Sequence, residues 1–206
     1  MKNLALLISI SLLAACGASD NSSSNSGLNS APFPAETQDL KGSWHIPCDI
    51  NEETYESTNG KETYSDSGIA FTATNYIDTY CTDKEFSMKY TASMNYAGEK
   101  VLDSGQTVKK VDAIIDTNNL LFLLHDEGLQ AGYIADKTCN RSDWDSGEYI
   151  NISNCREFTD IIESMKKSLK SIYYINGNQA YWGDEDRQSD EDGFPTELES
   201  APNTKI

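Results

Sequence analysis

"EFSMKYTASMNYAG", Glu85 to Gly98, decides the fold class. Phe86, Met88, Tyr90, Ala92, Met94 and Tyr96 take every second position, with Ser87, Lys89, Thr91, Ser93 and Asn95 between them, an unbroken alternation of eleven residues. Side chains of an extended strand point alternately to opposite faces, so this row places six apolar or aromatic groups on a core and five polar groups in water. A helical period of 3.6 would spread both sets around the axis and bury neither.

The flanking segments extend the same reading. "GIAFTATNYIDTY" (Gly68–Tyr80) is rich in aromatic and β-branched residues and reads as a partner strand. "TVKKVDAIIDT" alternates Val111, Ala113 and Ile115 against Lys110, Asp112 and Ile114, and "NNLLFLLHDEG" is a short apolar run bounded by Asn118-Asn119 and Gly128. "LQAGYIAD" (Leu129–Asp136) reads as a further strand and "GSWHIP" as the first one. "SIYYINGNQAYWGD" reads as a hairpin turning at Asn176-Gly177. From Cys155 to Ser171 the period changes. Phe158, Ile161, Ile162, Met165, Leu169 and Ile172 recur at helical spacing, and Lys166, Lys167 and Lys170 complement the negative end of a helix dipole. The expectation is a mainly β, antiparallel domain of roughly eight or nine strands with one amphipathic helix near the C-terminus. No proline stands between Pro47 and Pro195 to interrupt it.

The amino-terminal region has a different composition. Lys2 is followed by an almost wholly apolar run, Leu4 to Leu13, and by the small residues Ala14 and Ala15. This is the pattern of a secretory signal peptide, shorter than the about twenty apolar residues of a membrane span. Leu13-Ala14-Ala15-Cys16 resembles the lipobox of bacterial lipoproteins. The resemblance implies cleavage before Cys16 and acylation of its sulfur and new amino group, as with palmitate. With Gly17 rather than Asp after the cysteine, it also implies an outer-membrane protein, on the periplasmic or surface face. Residues 16–39 ("CGASDNSSSNSGLNSAPFPAETQD") are mostly Ser, Asn, Gly and Pro and read as a flexible tether, leaving 40–206 as one folded domain.

Charge and cysteine content narrow the function classes. The formal charge is −17, and loss of residues 1–15 removes Lys2 and no acid, giving −18. A surface this acidic lacks the basic footprint of nucleic-acid binding and is repelled by anionic lipid, so membrane attachment falls to the acyl chains. Of five cysteines, Cys16 is taken by the anchor; Cys48, Cys81, Cys139 and Cys155 remain, an even number in an oxidising compartment. Three pairings are open, and chain position favours Cys48–Cys81 and Cys139–Cys155. Zinc-knuckle spacing is absent, and the chain has only two histidines, His45 and His125. Two acidic stretches, Gly183–Gly193 and Asp143–Gly147, carry oxygen donors but not EF-hand spacing, and read as solvated loops. No GxSxG, HExxH or phosphate-binding loop occurs. The expectation is therefore no enzymatic activity, no cofactor and no metal.

Gly42-Ser43-Trp44, the closing "YYINGNQAYWGD" and "DGFPTEL", and the placement of Cys48 and Cys81 resemble bacterial lipocalin-like small lipoproteins. The second lipocalin motif, T-D-Y, is absent; the nearest text is Asp78-Thr79-Tyr80. The resemblance implies an antiparallel meander closing into a barrel, with Trp44, Phe86, Met88, Tyr90, Met94 and Tyr96 as candidate interior residues. They either fill it as core or line a pocket. It also implies a lipid-anchored monomer that binds a small apolar ligand. The alternative is a protein-interaction or immunity/inhibitor-type lipoprotein that uses its acidic surface on an envelope partner. Replacing Cys16→Ala is expected to abolish labelling with palmitate while both disulfides still form, as read by thiol titration; persistent labelling would refute the anchor.

Overall fold

The computed structural model describes residues 33–184 and 188–206. The signal peptide, the lipobox and residues 16–32 of the tether lie outside them. The described residues form ten strands: β1 (Gly42–Asn51), β2 (Glu56–Ser65), β3 (Gly68–Tyr76), β4 (Lys84–Val101), β5 (Thr107–Ile115), β6 (Leu121–Leu124), β7 (Ile150–Asn151), β8 (Leu169–Asn176), β9 (Gln179–Trp182) and β10 (Asn203–Lys205). Two short helices, α1 (Glu127–Ala135) and α2 (Thr159–Met165), lie between β6 and β8. Strands β1, β2, β3, β4, β5, β8, β9 and β10 pair in that order, all antiparallel, and β10 returns to β1, so eight strands close a barrel. Apart from one excursion between β5 and β8, it is the expected meander.

Strand β4 is 18 residues long and serves both parts of the molecule. One edge pairs with β3 from Ile69↔Ala92 to Tyr76↔Lys84. The other pairs first with β5, from Val101↔Thr107 to Ala92↔Ile115, and then with β6, from Lys89↔Leu121 to Phe86↔Leu124. The chain thus runs β5, a 3-10 turn and β6 as one interrupted strand against β4. At the interruption Asp116 caps the turn through Asn118 N–H. From there β5 continues into the barrel through β8, while β6 diverges to pair with β7.

The diverging part carries its own core. Phe86 and Met88 face Leu124 and Phe122 across the β4–β6 pair, and Trp144, Ile150, Ile152, Phe158, Ile162 and Met165 cover them. Phe122, fully buried, meets Phe86 at 5.1 Å and Phe158 at 5.2 Å between ring centroids. The Trp144 indole, also buried, donates to Thr138 O at 3.0 Å. At the other end of the barrel, 3-10 turns over Ala35–Leu40 pack Phe33, Thr37 and Leu40 into the interior cluster, and the buried Trp44 indole donates to Leu40 O. Residues 33–39, assigned to the tether by composition, pack on the folded unit, where Phe33 and Thr37 find buried places that a sequence count does not reveal.

Several elements differ from expectation. Leu129–Asp136 is not a strand but the body of α1. Asp126 caps it by accepting from Leu129 N–H at 2.7 Å, and Leu129, Tyr133 and Ile134 pack on the excursion's core. The single amphipathic helix over Cys155–Ser171 is also corrected: α2 stops at Met165, and Leu169 and Ile172 belong to β8, where they pair with Ala113 and Lys110 of β5. Pairing with a free barrel edge overrides a local helical period. Strands β2, β7 and β10 carry no period-two apolar signal and were not legible. The β8–β9 hairpin forms as expected, with Asn176 opposite Gln179; its two loop residues are Gly177, at φ 62°, and Asn178. The β2–β3 turn needs Gly68, at φ 114°, where a Cβ would come within 2.6 Å of Ala92 O.

Both expected cysteine pairs are bridged. Cys48–Cys81 has a Cα–Cα distance of 6.0 Å and ties β1 to the β3–β4 connection. Cys139–Cys155 has 4.9 Å and closes the loop that precedes α2. Among the described residues no helix is long and apolar enough to cross a membrane. Phe122→Ala is expected to cost about 3–5 kcal/mol of unfolding free energy, because the ring joins the excursion to β4; a loss under about 1 kcal/mol in urea denaturation would show that the two cores are independent.

Candidate functional site

The inward row of β2 is unlike those of its neighbours. Glu62 lies opposite Trp44 of β1 and Phe71 of β3 and is buried among them. Residues two apart on a strand share a face, so Tyr64 stands beside it, and its hydroxyl donates to Glu62 Oε2 at 2.8 Å. Asn203 of β10, also buried, donates to the same oxygen at a longer 3.4 Å. Aromatic rings surround this polar group. Tyr64 stacks on Trp182 with centroids 6.2 Å apart, Phe33 meets Tyr64 edge-on at 6.1 Å, and Trp182 lies 5.5 Å from Tyr173. The Tyr173 hydroxyl donates to Asp39 Oδ1 at 2.9 Å.

Electrostatics follow from this placement. Burial disfavours the charged form of Glu62 and raises its pKa from 4.5 to about 7, against the opposing pull of the Tyr64 and Asn203 hydrogen bonds. Tyr64 is pushed well above the usual phenol range, first by burial and then by the neighbouring carboxylate. Near neutrality Glu62 therefore exchanges between an acceptor-only carboxylate and an acid with a proton to donate. Among the described residues the Trp182 indole N–H is buried without a hydrogen-bond partner. An unpaired donor in such a place loses the full worth of its desolvated hydrogen bond.

The residues expected in the interior fall into two groups. Trp44 and Met94 belong to the cluster around Tyr64 and Tyr173. Phe86, Met88 and Tyr90 belong to the cluster shared with β6 and the excursion. Tyr96, further along the same row, is half-buried. The row of β4 thus spans both cores, and the polar group lies on strands that the row itself does not name. Glu62 and Tyr64 were missed because "ESTNGKETYS" has no apolar alternation, and Asn203 because the three residues of β10 are too few to show any. The only trace of the group in sequence is Glu62-x-Tyr64, a charged and an aromatic residue on one face.

Other candidates resolve as structural contacts. His45 is exposed on the outer face of β1. His125 Nε2 lies 2.8 Å from Ser87 Oγ, which also lies 2.9 Å from Thr74 Oγ1, so the three side chains tie β3, β4 and the end of β6 together. Burial, with a smaller effect of Lys84, lowers the pKa of His125. Asp143 is held by Arg141, whose Nε donates to Oδ1 at 2.8 Å, and Asp190 by Lys100 at 2.6 Å. The middle of that second acidic stretch, 185–187, lies outside the described residues. The sulfurs of Cys139 and Cys155, which lie with the Glu157 carboxylate, are spent on each other in the disulfide. No protein-family model matches the chain, and no curated protein matches its sequence.

Linkage makes the Glu62 environment measurable. Below pH 4.5 the folded and unfolded chains both hold its proton. Between 4.5 and about 7 the folded chain keeps a proton that the unfolded chain has released, so stability falls as pH rises through that window. At about 1.4 kcal/mol per pKa unit, wild type is expected to lose about 3 kcal/mol relative to Glu62→Gln between pH 4.5 and pH 7.5. Parallel stability curves for the two proteins across that range would disprove the assignment.

Proposed function

We propose that this chain is a lipid-anchored binding protein of the bacterial envelope, without enzymatic activity, held at the outer membrane by acyl chains on Cys16. Its barrel holds a small, mainly apolar molecule carrying a hydrogen-bond acceptor. The observation that carries this reading is the Trp182 indole N–H, buried and unpartnered beside the Glu62–Tyr64 pair in an otherwise apolar, aromatic interior. A ligand acceptor would supply the missing hydrogen bond, and the protonation of Glu62 would set whether that side chain donates to the ligand or accepts from it. Apolar sites with a few convergent polar groups and a perturbed titratable residue are the usual form of small-molecule sites, and the mouth or interior of a β-barrel is a usual place for them. The closed barrel is compatible with this role; the anchoring rests on the lipobox resemblance.

The test is native mass spectrometry of the acylated protein from its own membranes, followed by solvent extraction. A discrete bound mass is expected, lost at least tenfold in Trp182→Phe, which keeps an aromatic ring and removes the donor. A wild-type protein that carries no mass, or an equal yield from the variant, would refute the barrel site.

A further inference from the structure

The end of the barrel opposite the Ala35–Leu40 turns presents an unusual surface. Two connections form it: the β1–β2 turn, and the β3–β4 loop that follows Tyr76. Four large apolar or aromatic side chains stand exposed there, Ile50 (47%), Tyr55 (71%), Ile77 (48%) and Tyr80 (80%). The two connections are joined covalently by Cys48–Cys81 and through Ser57, whose hydroxyl donates to Asp78 O at 2.6 Å and accepts from Cys81 N–H at 3.2 Å. Ile50 is opposite Ser57 in the β1–β2 register, which sets it beside the loop that carries Ile77 and Tyr80.

Each connection is also stiff. Asn51 Oδ1 accepts from the N–H groups of Glu53 and Thr54, and the Asp78 carboxylate accepts from those of Tyr80, Thr82 and Asp83. Tyr55 is held at φ 59°, a conformation unfavourable for a bulky side chain, and yet its ring buries little in the fold. Apolar groups on a rigid support lose little conformational freedom on binding, which favours their use as anchors. Exposed tyrosines with a polar rim match the composition of protein-recognition surfaces.

The rim identifies the kind of partner. Residues 49–56 and 77–84 carry six carboxylates, Asp49, Glu52, Glu53, Glu56, Asp78 and Asp83, and a single lysine, Lys84. Such a field repels acidic surfaces and anionic lipid and attracts cationic ones. We infer that this disulfide-stapled tip is a docking surface for a protein with a basic face, with Tyr55 and Tyr80 as the apolar anchors and the surrounding carboxylates steering the encounter. The inference is independent of any ligand in the barrel.

The experiment places p-benzoylphenylalanine at Tyr55 or Tyr80 of the full chain in its own cells, with Ile114 on β5, an exposed apolar residue away from the tip, as the control. Illumination is expected to yield the same protein adduct from both tip positions and none from Ile114, with a basic partner identified by mass spectrometry. The purified partner should then bind wild type with an affinity that falls at least tenfold in Tyr80→Ala, in the double charge reversal Glu52→Lys/Glu53→Lys, and on raising salt from 50 to 500 mM. These substitutions are on exposed side chains, and retention of both disulfides checks the fold. Lack of an adduct at the tip, adducts with lipid or with a second copy of this chain, an acidic partner, or binding indifferent to the three changes would each overturn the inference.

Discussion

The structure depends on the backbone pairing of β4. An extended strand has two hydrogen-bonding edges, and unpaired backbone groups inside a protein are costly, so both edges must be occupied where the strand is buried, which in β4 is its first half. Strand β4 meets this with β3 along the first half of one edge and with β5 and β6 in succession along the other. The break between β5 and β6 lets one neighbour curve on into the barrel while the other leaves it. A meander barrel and a separately cored excursion thereby share one spine.

That spine also explains how the aromatic residues are divided. The inward row of β4 begins in the excursion's core with Phe86 and Met88 and reaches the other cluster with Met94. The core around Phe122, Trp144 and Phe158 is built mostly of apolar contacts, with the Trp144 indole bonded to Thr138. The barrel cluster is different. It admits Glu62, Tyr64 and Asn203 among its rings, and its charge is moderated by hydrogen bonds and by a pKa near neutrality. A carboxyl with these properties costs folding stability as pH rises through neutrality, which is why the barrel rather than the excursion carries the functional reading.

The two ends of the barrel are also unequal. At one, the Ala35–Leu40 turns drive Phe33 and Leu40 inward and bring Asp39 to the Tyr173 hydroxyl. At the other, the Cys48–Cys81 bridge and the hydrogen bonds of Ser57 and Asp78 fix two connections while leaving their large side chains outside. The same kind of constraint, a short segment pinned to strand ends, buries apolar surface in the first case and displays it in the second.

By itself the sequence determined the strands with strong alternation, β3, β4 and β5, the Asn176-Gly177 hairpin and the apolar β6, because a two-residue period and turn chemistry are local properties; of the three possible cysteine pairings it only favoured the one that forms. It did not determine α1, since Leu129, Tyr133 and Ile134 are too few to distinguish a helix from a strand until Asp126 is seen to cap them. It misassigned Leu169 and Ile172, whose helical spacing yielded to the open edge of β5. The polar strands β2 and β10 were invisible, because their place in the sheet comes from neighbours rather than from their own hydrophobicity. With them went Glu62, Tyr64 and Asn203: only closure of the barrel through the β1–β10 pair brings Asn203 to Glu62 on β2, and a buried carboxyl is recognised by what surrounds it, which is a property of the tertiary structure alone.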